Sequence, residues 1–283
     1  MKKILSFIII LLCVSGCTKL PESKGNPTFE SNENVLTVHY LDIGQGDSIV
    51  AELPNKELLL IDAGEASSSE KIISYIKNLG YSKIDYVIGT HPHADHIGGL
   101  ANVIKSFDIG SIYMPKVAAS SKTYENLLNT IKDKNLKIKT GKNGVEVLNE
   151  NNLVLKMVAP NQDSYSSYNN YSIVLRLDYG TTSFLFTGDA EEKSEKEITE
   201  DVNVDVLKVG HHGSDTSSSE EFLAKVKPKY AIISVGAGNK YGHPADITLT
   251  KLKKYTKQIY RTDLNGTIKV ISDGININIE TEK

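Results

Sequence analysis

From Val35 onward apolar and polar residues alternate: Val35, Thr37 and His39 share one side of an extended chain, and Leu36, Val38 and Tyr40 share the other. That period of two marks a strand. The chain turns at Gly44-Gln45-Gly46-Asp47-Ser48, resumes as an apolar strand, and a further run at 58–61 closes on Asp62-Ala63-Gly64. An opening antiparallel meander is the expectation. Ile72, Ile73, Ile76 and Leu79 then follow helical spacing, with Gly80 as the stop. The apolar run 84–89 reads as a buried strand. Ile97, Leu100, Val103, Ile104 and Phe107 predict one amphipathic helix, and Tyr124, Leu127, Leu128 and Ile131 predict a third helix.

The second half repeats this logic. Strand patterns at 153–158, 172–178 and 183–187 form a meander that ends in Gly188-Asp189. A charged helix over 190–200, a strand over 204–209, a helix near 219–226, a strand over 230–235 and a last helix after Gly242-His243-Pro244 follow. Strand groups interleaved with helices in two similar halves predict two packed sheets flanked by helices, in one domain spanning 35–283.

Composition changes the picture mainly at the N-terminus. The chain has 283 residues, 40% hydrophobic and 24% charged, as a globular protein does. Lys2 and Lys3 precede a short apolar stretch that ends in Val14-Ser15-Gly16-Cys17. This resembles a bacterial lipoprotein signal over 1–16, with cleavage leaving Cys17 as the lipidated residue. Residues 17–34 then read as the lipidated N-terminus and a flexible tether, and the expected location is the extracytoplasmic face of a bacterial membrane. With Cys13 lost and Cys17 acylated, neither of the two cysteines remains for a disulfide, thiolate ligation or nucleophilic catalysis. The formal charge of −3 becomes −5 without Lys2 and Lys3, which argues against broad coating of nucleic acid.

The chemistry gathers around seven histidines, six of which fall in three short motifs. Thr90-His91-Pro92-His93-Ala94-Asp95-His96 follows a strand and opens a helix. His91 and His93 alternate in an extended loop and can share one ion, while Asp95 and His96 can serve a second, the layout of a two-metal hydrolytic site. The plainer alternative is a polar loop capping a helix.

Taken together, Leu41-Asp42-Ile43-Gly44-Gln45-Gly46-Asp47-Ser48, Leu60-Ile61-Asp62-Ala63-Gly64, the His91–His96 motif, Phe186-Thr187-Gly188-Asp189, Lys208-Val209-Gly210-His211-His212-Gly213-Ser214 and Tyr241-Gly242-His243-Pro244 resemble the metallo-β-lactamase superfamily. Within it they resemble the hydrolase domain of ComEC competence proteins, over about residues 35–275. The resemblance implies an α/β fold, specifically an αββα sandwich, with two divalent ions, Zn2+ or Mn2+. His91 and His93 would bind one ion, Asp95 and His96 the other, and Asp189 would bridge them. One of His211 and His212 would complete the second site, while its neighbour or His243 would face the substrate. Superfamily members usually carry a further histidine before the bridging aspartate; here Asn169-Asn170-Tyr171-Ser172 occupies that region, so an amide, a hydroxyl or water is expected instead.

Two ions sharing a hydroxide would supply a nucleophile near neutral pH. Asp95 would hold it, with His212 and His243 as further catalytic candidates. Lys208, Ser214, Lys240 and the amides of the 44–48 turn are candidates for holding an anionic substrate. Asp47 and Asp62 are either ligand-orienting groups or simple turn residues. The resemblance favours a phosphodiesterase acting on nucleic acid. A wall polymer such as the phosphocholine diester of teichoic acid is the alternative substrate, a β-lactam is disfavoured by the missing histidine, and a non-catalytic surface binding protein is the alternative of another class. No protein partner is inferable, and without a set of membrane spans the chain is not expected to be a channel.

Overall fold

The computed structural model describes residues 34–283; the expected signal segment, Cys17 and the tether up to residue 33 lie outside the described residues. The first half runs β1 (Leu36–Tyr40), β2 (Ile49–Glu52), β3 (Leu58–Ile61), α1 (Ser69–Asn78), β4 (Lys83–Ile88), α2 (Ala94–Ile97), α3 (Leu100–Ser106), β5 (Asp108–Met114), α4 (Lys122–Asp133) and β6 (Ile138–Thr140). The second half runs β7 (Glu146–Glu150), β8 (Leu153–Ala159), β9 (Val174–Tyr179), β10 (Thr182–Phe186), α5 (Glu192–Glu197), β11 (Val206–Lys208), α6 (Glu220–Val226), β12 (Tyr230–Ile233), α7 (Asp246–Leu252), β13 (Gln258–Arg261), α8 (Thr262–Asn265), β14 (Ile268–Ser272) and β15 (Ile277–Thr281). Eight strands form one sheet in the order β15-β14-β1-β2-β3-β4-β5-β6, and seven form the other in the order β13-β12-β11-β10-β9-β8-β7.

Side-chain parity explains the layers. Along β3, Leu59 and Ile61 enter the core between the sheets, while Leu58 and Leu60 face α1, α3 and α4. Both faces of this strand are covered, so its sequence is a continuous apolar run rather than an alternation. In the other sheet Phe184 and Phe186 point into the shared core and Leu185 toward the outer layer containing Phe222, Leu223 and Leu252. Each such fully buried side chain contributes about 1.5–3 kcal/mol relative to exposure. The expected sandwich of two mixed sheets flanked by helices is therefore observed.

Two expectations are corrected. The single helix over 97–107 is divided into α2 and α3 at Gly98-Gly99, because those glycines lie against backbone; a Cβ on Gly99 would sit 2.2 Å from the Ala63 carbonyl oxygen. The charged helix over 190–200 shortens to α5, since Ile198 turns extended and is buried in the outer core with Val202 and Val204. Beyond the expected elements, after α7 the chain adds β13 to the second sheet and then returns to the first, where β14 pairs antiparallel with β1 from Leu36↔Ser272 to Tyr40↔Ile268.

Candidate metal centre

Strands β3 and β4 are parallel neighbours, as are β10, β11 and β12. Their C-terminal ends deliver Asp62, the His91–His96 loop, Asp189, His211-His212 and Ser234 to one edge of the sandwich. Side chains from both sheets thus converge there, outside the carboxyl ends of parallel strands, where α/β folds characteristically bind ligands.

Asp189 is the hub. Its Oδ2 lies 3.2 Å from His96 Nε2, 3.6 Å from His211 Nε2, 3.6 Å from His212 Nε2 and 3.8 Å from His91 Nε2. His91 Nε2 and His93 Nδ1 face one another at 3.0 Å, and His212 Nε2 lies 3.3 Å from Asp95 Oδ2. Among the described residues four groups bring candidate ligand atoms within 4.8 Å of one another: His91, His93 and Asp189; Asp95, His96 and His212; and, drawing on the carboxylate behind the histidines, Asp47 with Asp189 and His212 and Asp47 with Asp62 and His96.

The histidines are oriented from behind. His96 Nδ1 donates to Asp62 Oδ2 at 2.8 Å, and His212 Nδ1 donates to the Ser234 carbonyl at 2.9 Å. His91 Nδ1 donates to Thr90 Oγ1 at 3.1 Å, and that hydroxyl donates onward to Asp62 at 2.6 Å. With Nδ1 carrying the proton, each Nε2 presents its lone pair to the centre. His96 Nε2, His212 Nε2 and Asp189 Oδ1 are buried without a hydrogen-bond partner. Groups of this kind are costly to leave unmatched, and the mixture of imidazole and carboxylate donors suits a divalent cation. The residues present fit divalent metal.

The electrostatics agree. Burial opposes charge on His96, but Asp189, Asp62 and Asp95 hold its pKa well above the usual value. Burial likewise opposes charge on His212, yet Asp189, Asp47 and Asp95 push it up to about 9. Burial, reinforced by His96, takes His91 well below its usual value. For Asp189, burial is outweighed by His96 and His212, which keep the carboxylate ionised.

The remaining candidates fall into place as follows. His212 is buried and grouped with Asp95 and His96, whereas His211 is partly exposed, its Nδ1 3.2 Å from Thr216 Oγ1. Both occupy left-handed backbone (φ 50° and 53°), a conformation uncommon outside glycine and found at functional sites. His243, half-buried, stands with its ring 5.5 Å from that of His211. It lines a cleft of about 340 Å³ together with Gln45, Glu65, His93, Asp95, Asp189, His211, His212 and Tyr241. Gln45 lay inside the 44–48 turn motif with no role marked for its side chain, and Glu65 had no signal beyond following Asp62-Ala63-Gly64.

Two substrate-binding candidates do not face the cleft. Lys208 follows Val206 by two on β11, so its side chain enters between the sheets; it is fully buried, its Nζ ion-paired with Asp47 and 3.2 Å from the Gly188 carbonyl. Ser214 is buried and bonds Thr216 Oγ1 at 3.1 Å, which places it behind His211. Lys240 remains exposed, its Nζ 5.2 Å from the Tyr241 ring centre. Asp47 and Asp62 are both orienting groups: besides Lys208, Asp47 faces His212 Nδ1 at 3.4 Å. The Asp47 amide bonds the Asp95 carbonyl at 3.1 Å, so it holds the His91–His96 loop rather than a substrate. Gly46 permits that approach, since a Cβ there would meet the same oxygen at 2.3 Å. In the region of the missing histidine, Ser172 Oγ lies 3.3 Å from His91 Nδ1, Asn170 binds Glu191, and Asn169 Oδ1 is a buried acceptor with no partner.

The metallo-beta-lactamase superfamily model matches residues 41–237, from the turn before β2 to the loop after β12. The chain belongs to this superfamily. Its likeness to competence proteins extends to ComE operon protein 3 of Bacillus subtilis, 34% identical over 82% of this chain and 32% of that protein. Competence protein ComA of Neisseria gonorrhoeae is 30% identical over 84% of this chain and 32% of that protein. The chain therefore spans about a third of the length of these relatives. Among solved structures, the metallo-beta-lactamase fold protein YhfI from Bacillus subtilis superposes with a TM-score of 0.51 at 15% identity, over 80% of this chain and 95% of that one. In this metallo-beta-lactamase domain the candidate metal-ligand motifs sit on the loops that the two sheets bring together.

Proposed function

We propose that this superfamily hydrolase is a metal-dependent phosphodiesterase that cleaves nucleic acid, held at the outer face of a bacterial membrane by lipid on Cys17. The observation that carries the chemistry is the convergence of four histidine Nε2 atoms on Asp189 Oδ2, all within 3.8 Å. Bound divalent ions would supply a water nucleophile near neutral pH and neutralise charge developing on a phosphoryl group. His91, His93 and Asp189 would hold one ion, and Asp95, His96 and His212 the other. Asp95, partly open to the cleft, orients the attacking water. His243, kept below its usual pKa by burial and by neighbouring His211 and His212, is neutral at pH 7 and hydrogen-bonds the substrate. The competence relatives favour nucleic acid as the polymer, and the lipobox-like Val14-Ser15-Gly16-Cys17 supports the tethered location.

The test is hydrolysis by the full chain in detergent, stripped of metal and resupplied with zinc or manganese, beside Asp95→Ala and His96→Ala. Metal-dependent cleavage of bis-p-nitrophenyl phosphate and of single-stranded DNA, lost in both variants, is the expected outcome. Cleavage of the small diester alone would transfer the assignment to a wall polymer. Absence of both metal uptake and turnover would leave a binding protein.

A further inference from the structure

Two aromatic rings stand out on the described surface: Tyr168, 40% exposed, and Tyr241, 55% exposed. Each touches a histidine of the metal cleft. Tyr168 meets His93 edge-on with ring centres 5.8 Å apart, and Tyr241 stacks on His243 at 5.7 Å with planes 21° apart. Neither ring is on a loose segment. Asn239 clamps the Tyr241 loop, its Nδ2 donating to the carbonyls of Gly236 and His243 and its Oδ1 accepting from the amides of Tyr241 and His243. Tyr168 donates to the Ala118 carbonyl at 3.3 Å and opens a turn whose next two residues, Asn169 and Asn170, are both held by Glu191. A lysine accompanies one of the rings: Lys240 lies with its Nζ 5.2 Å from the Tyr241 ring centre.

We propose that Tyr168 and Tyr241 are base-stacking platforms on the His93 and His243 sides of the cleft, and that they make a single strand the polymer this site accepts. The inference rests on the phosphodiesterase reading and narrows its substrate. Exposed aromatic faces paired with cations are the means by which proteins hold single strands without reading their sequence. A duplex keeps its base faces stacked inside and offers none to a tyrosine, and a wall polymer has no bases. The net acidity of the chain fits, because affinity that comes from stacking does not need many phosphate contacts. Lys240 covers the Tyr241 face in the free protein; an arriving base takes its place and leaves the ammonium beside the neighbouring phosphate.

The experiment uses the metal-loaded full chain with three probes: a fluorescent DNA single strand, the same strand with abasic residues on both sides of the cleavage position, and its duplex. Cleavage kinetics are followed for wild type, Tyr168→Ala, Tyr241→Ala and the matching Phe variants, and binding is followed by anisotropy. Loss of one stacked base is worth roughly 5- to 150-fold in affinity. The expected result is a KM raised by about 10-fold for each Ala variant on the normal strand, rescued by Phe. That loss is not added to the loss from abasic residues. Equal KM for normal and abasic strands in wild type would overturn the stacking role while leaving phosphodiester cleavage standing. Tyrosine-dependent binding without cleavage would support the platforms and sink the enzymatic reading. Neither binding nor cleavage would overturn both.

Discussion

Replacing Lys208 with methionine distinguishes a buried structural cation from a substrate-binding one. The ammonium is fully buried, pairs with Asp47 and lies 3.2 Å from the Gly188 carbonyl. Methionine keeps most of the stem volume and removes the charge. Asp47 is then left with His212 Nδ1 at 3.4 Å and His96 Nδ1 at 3.9 Å as its charged neighbours. Breaking a buried pair from one side costs about 3–5 kcal/mol; because the two histidines remain, the lower end, about 3 kcal/mol, is expected. In a domain of this size that lowers Tm by about 6–12 °C. Urea unfolding of the metal-free protein measures the loss directly, and a cycle with Asp47→Asn and the double variant measures the coupling. The double variant should lose well under the sum of the singles, whereas independent sites add to within about 0.5 kcal/mol. A Lys208→Met protein with unchanged stability and a raised KM would refute this reasoning and restore Lys208 to the substrate.

Three further outcomes are expected. Asp62→Asn retains a residue that tolerates the left-handed φ of 58° there but removes the charge facing His96 Nδ1, so metal affinity measured by equilibrium dialysis should fall about 10- to 100-fold. In metal-free protein His212 titrates near 9 rather than at its usual 6.5, so its stabilisation is complete below pH 6.5 and is lost as pH rises through 9. The loss is about 3 kcal/mol, and melting temperatures that stay flat from pH 6.5 to 10 in chelator would contradict it. Gly46→Ala places a Cβ 2.3 Å from the Asp95 carbonyl oxygen at a φ of 127°. It should cost about 1–3 kcal/mol and reduce bound metal per chain, which elemental analysis of the purified variant would reveal.

What could be read from sequence follows how local each signal is. The strands β1 to β4 and helices α1 and α4 announced themselves because their apolar periods lie within a few residues. Strands β6 and β7 did not, being edge strands with mostly exposed or half-exposed side chains and hence little alternation. Strand β14 does alternate, with Ile268 and Val270 inward, but its partner Leu36–Tyr40 lies more than 220 residues away, and no local pattern records that pairing. The ligand candidates were legible because histidine is scarce and clustered, and Asp62 and Asp47 were visible as turn residues with two meanings. Their orienting role needed the three-dimensional partner. Lys208 is different: two residues after Val206 on one strand it shares that residue's inward face, and offering it to a substrate overlooked the burial that this parity implies.

The two ligand groups draw on both sheets: His91, His93, Asp95 and His96 come from loops of the eight-stranded one, and Asp189 and His212 from loops of the seven-stranded one. An ion bound there would act as a clasp across the edge of the sandwich. By mass action, each ion present at a hundredfold its dissociation constant adds about 2.7 kcal/mol to the folded state. Metal starvation would then do more than silence the hydrolase. It would loosen the closure of the two sheets and expose the starved protein to proteases that leave the loaded form alone.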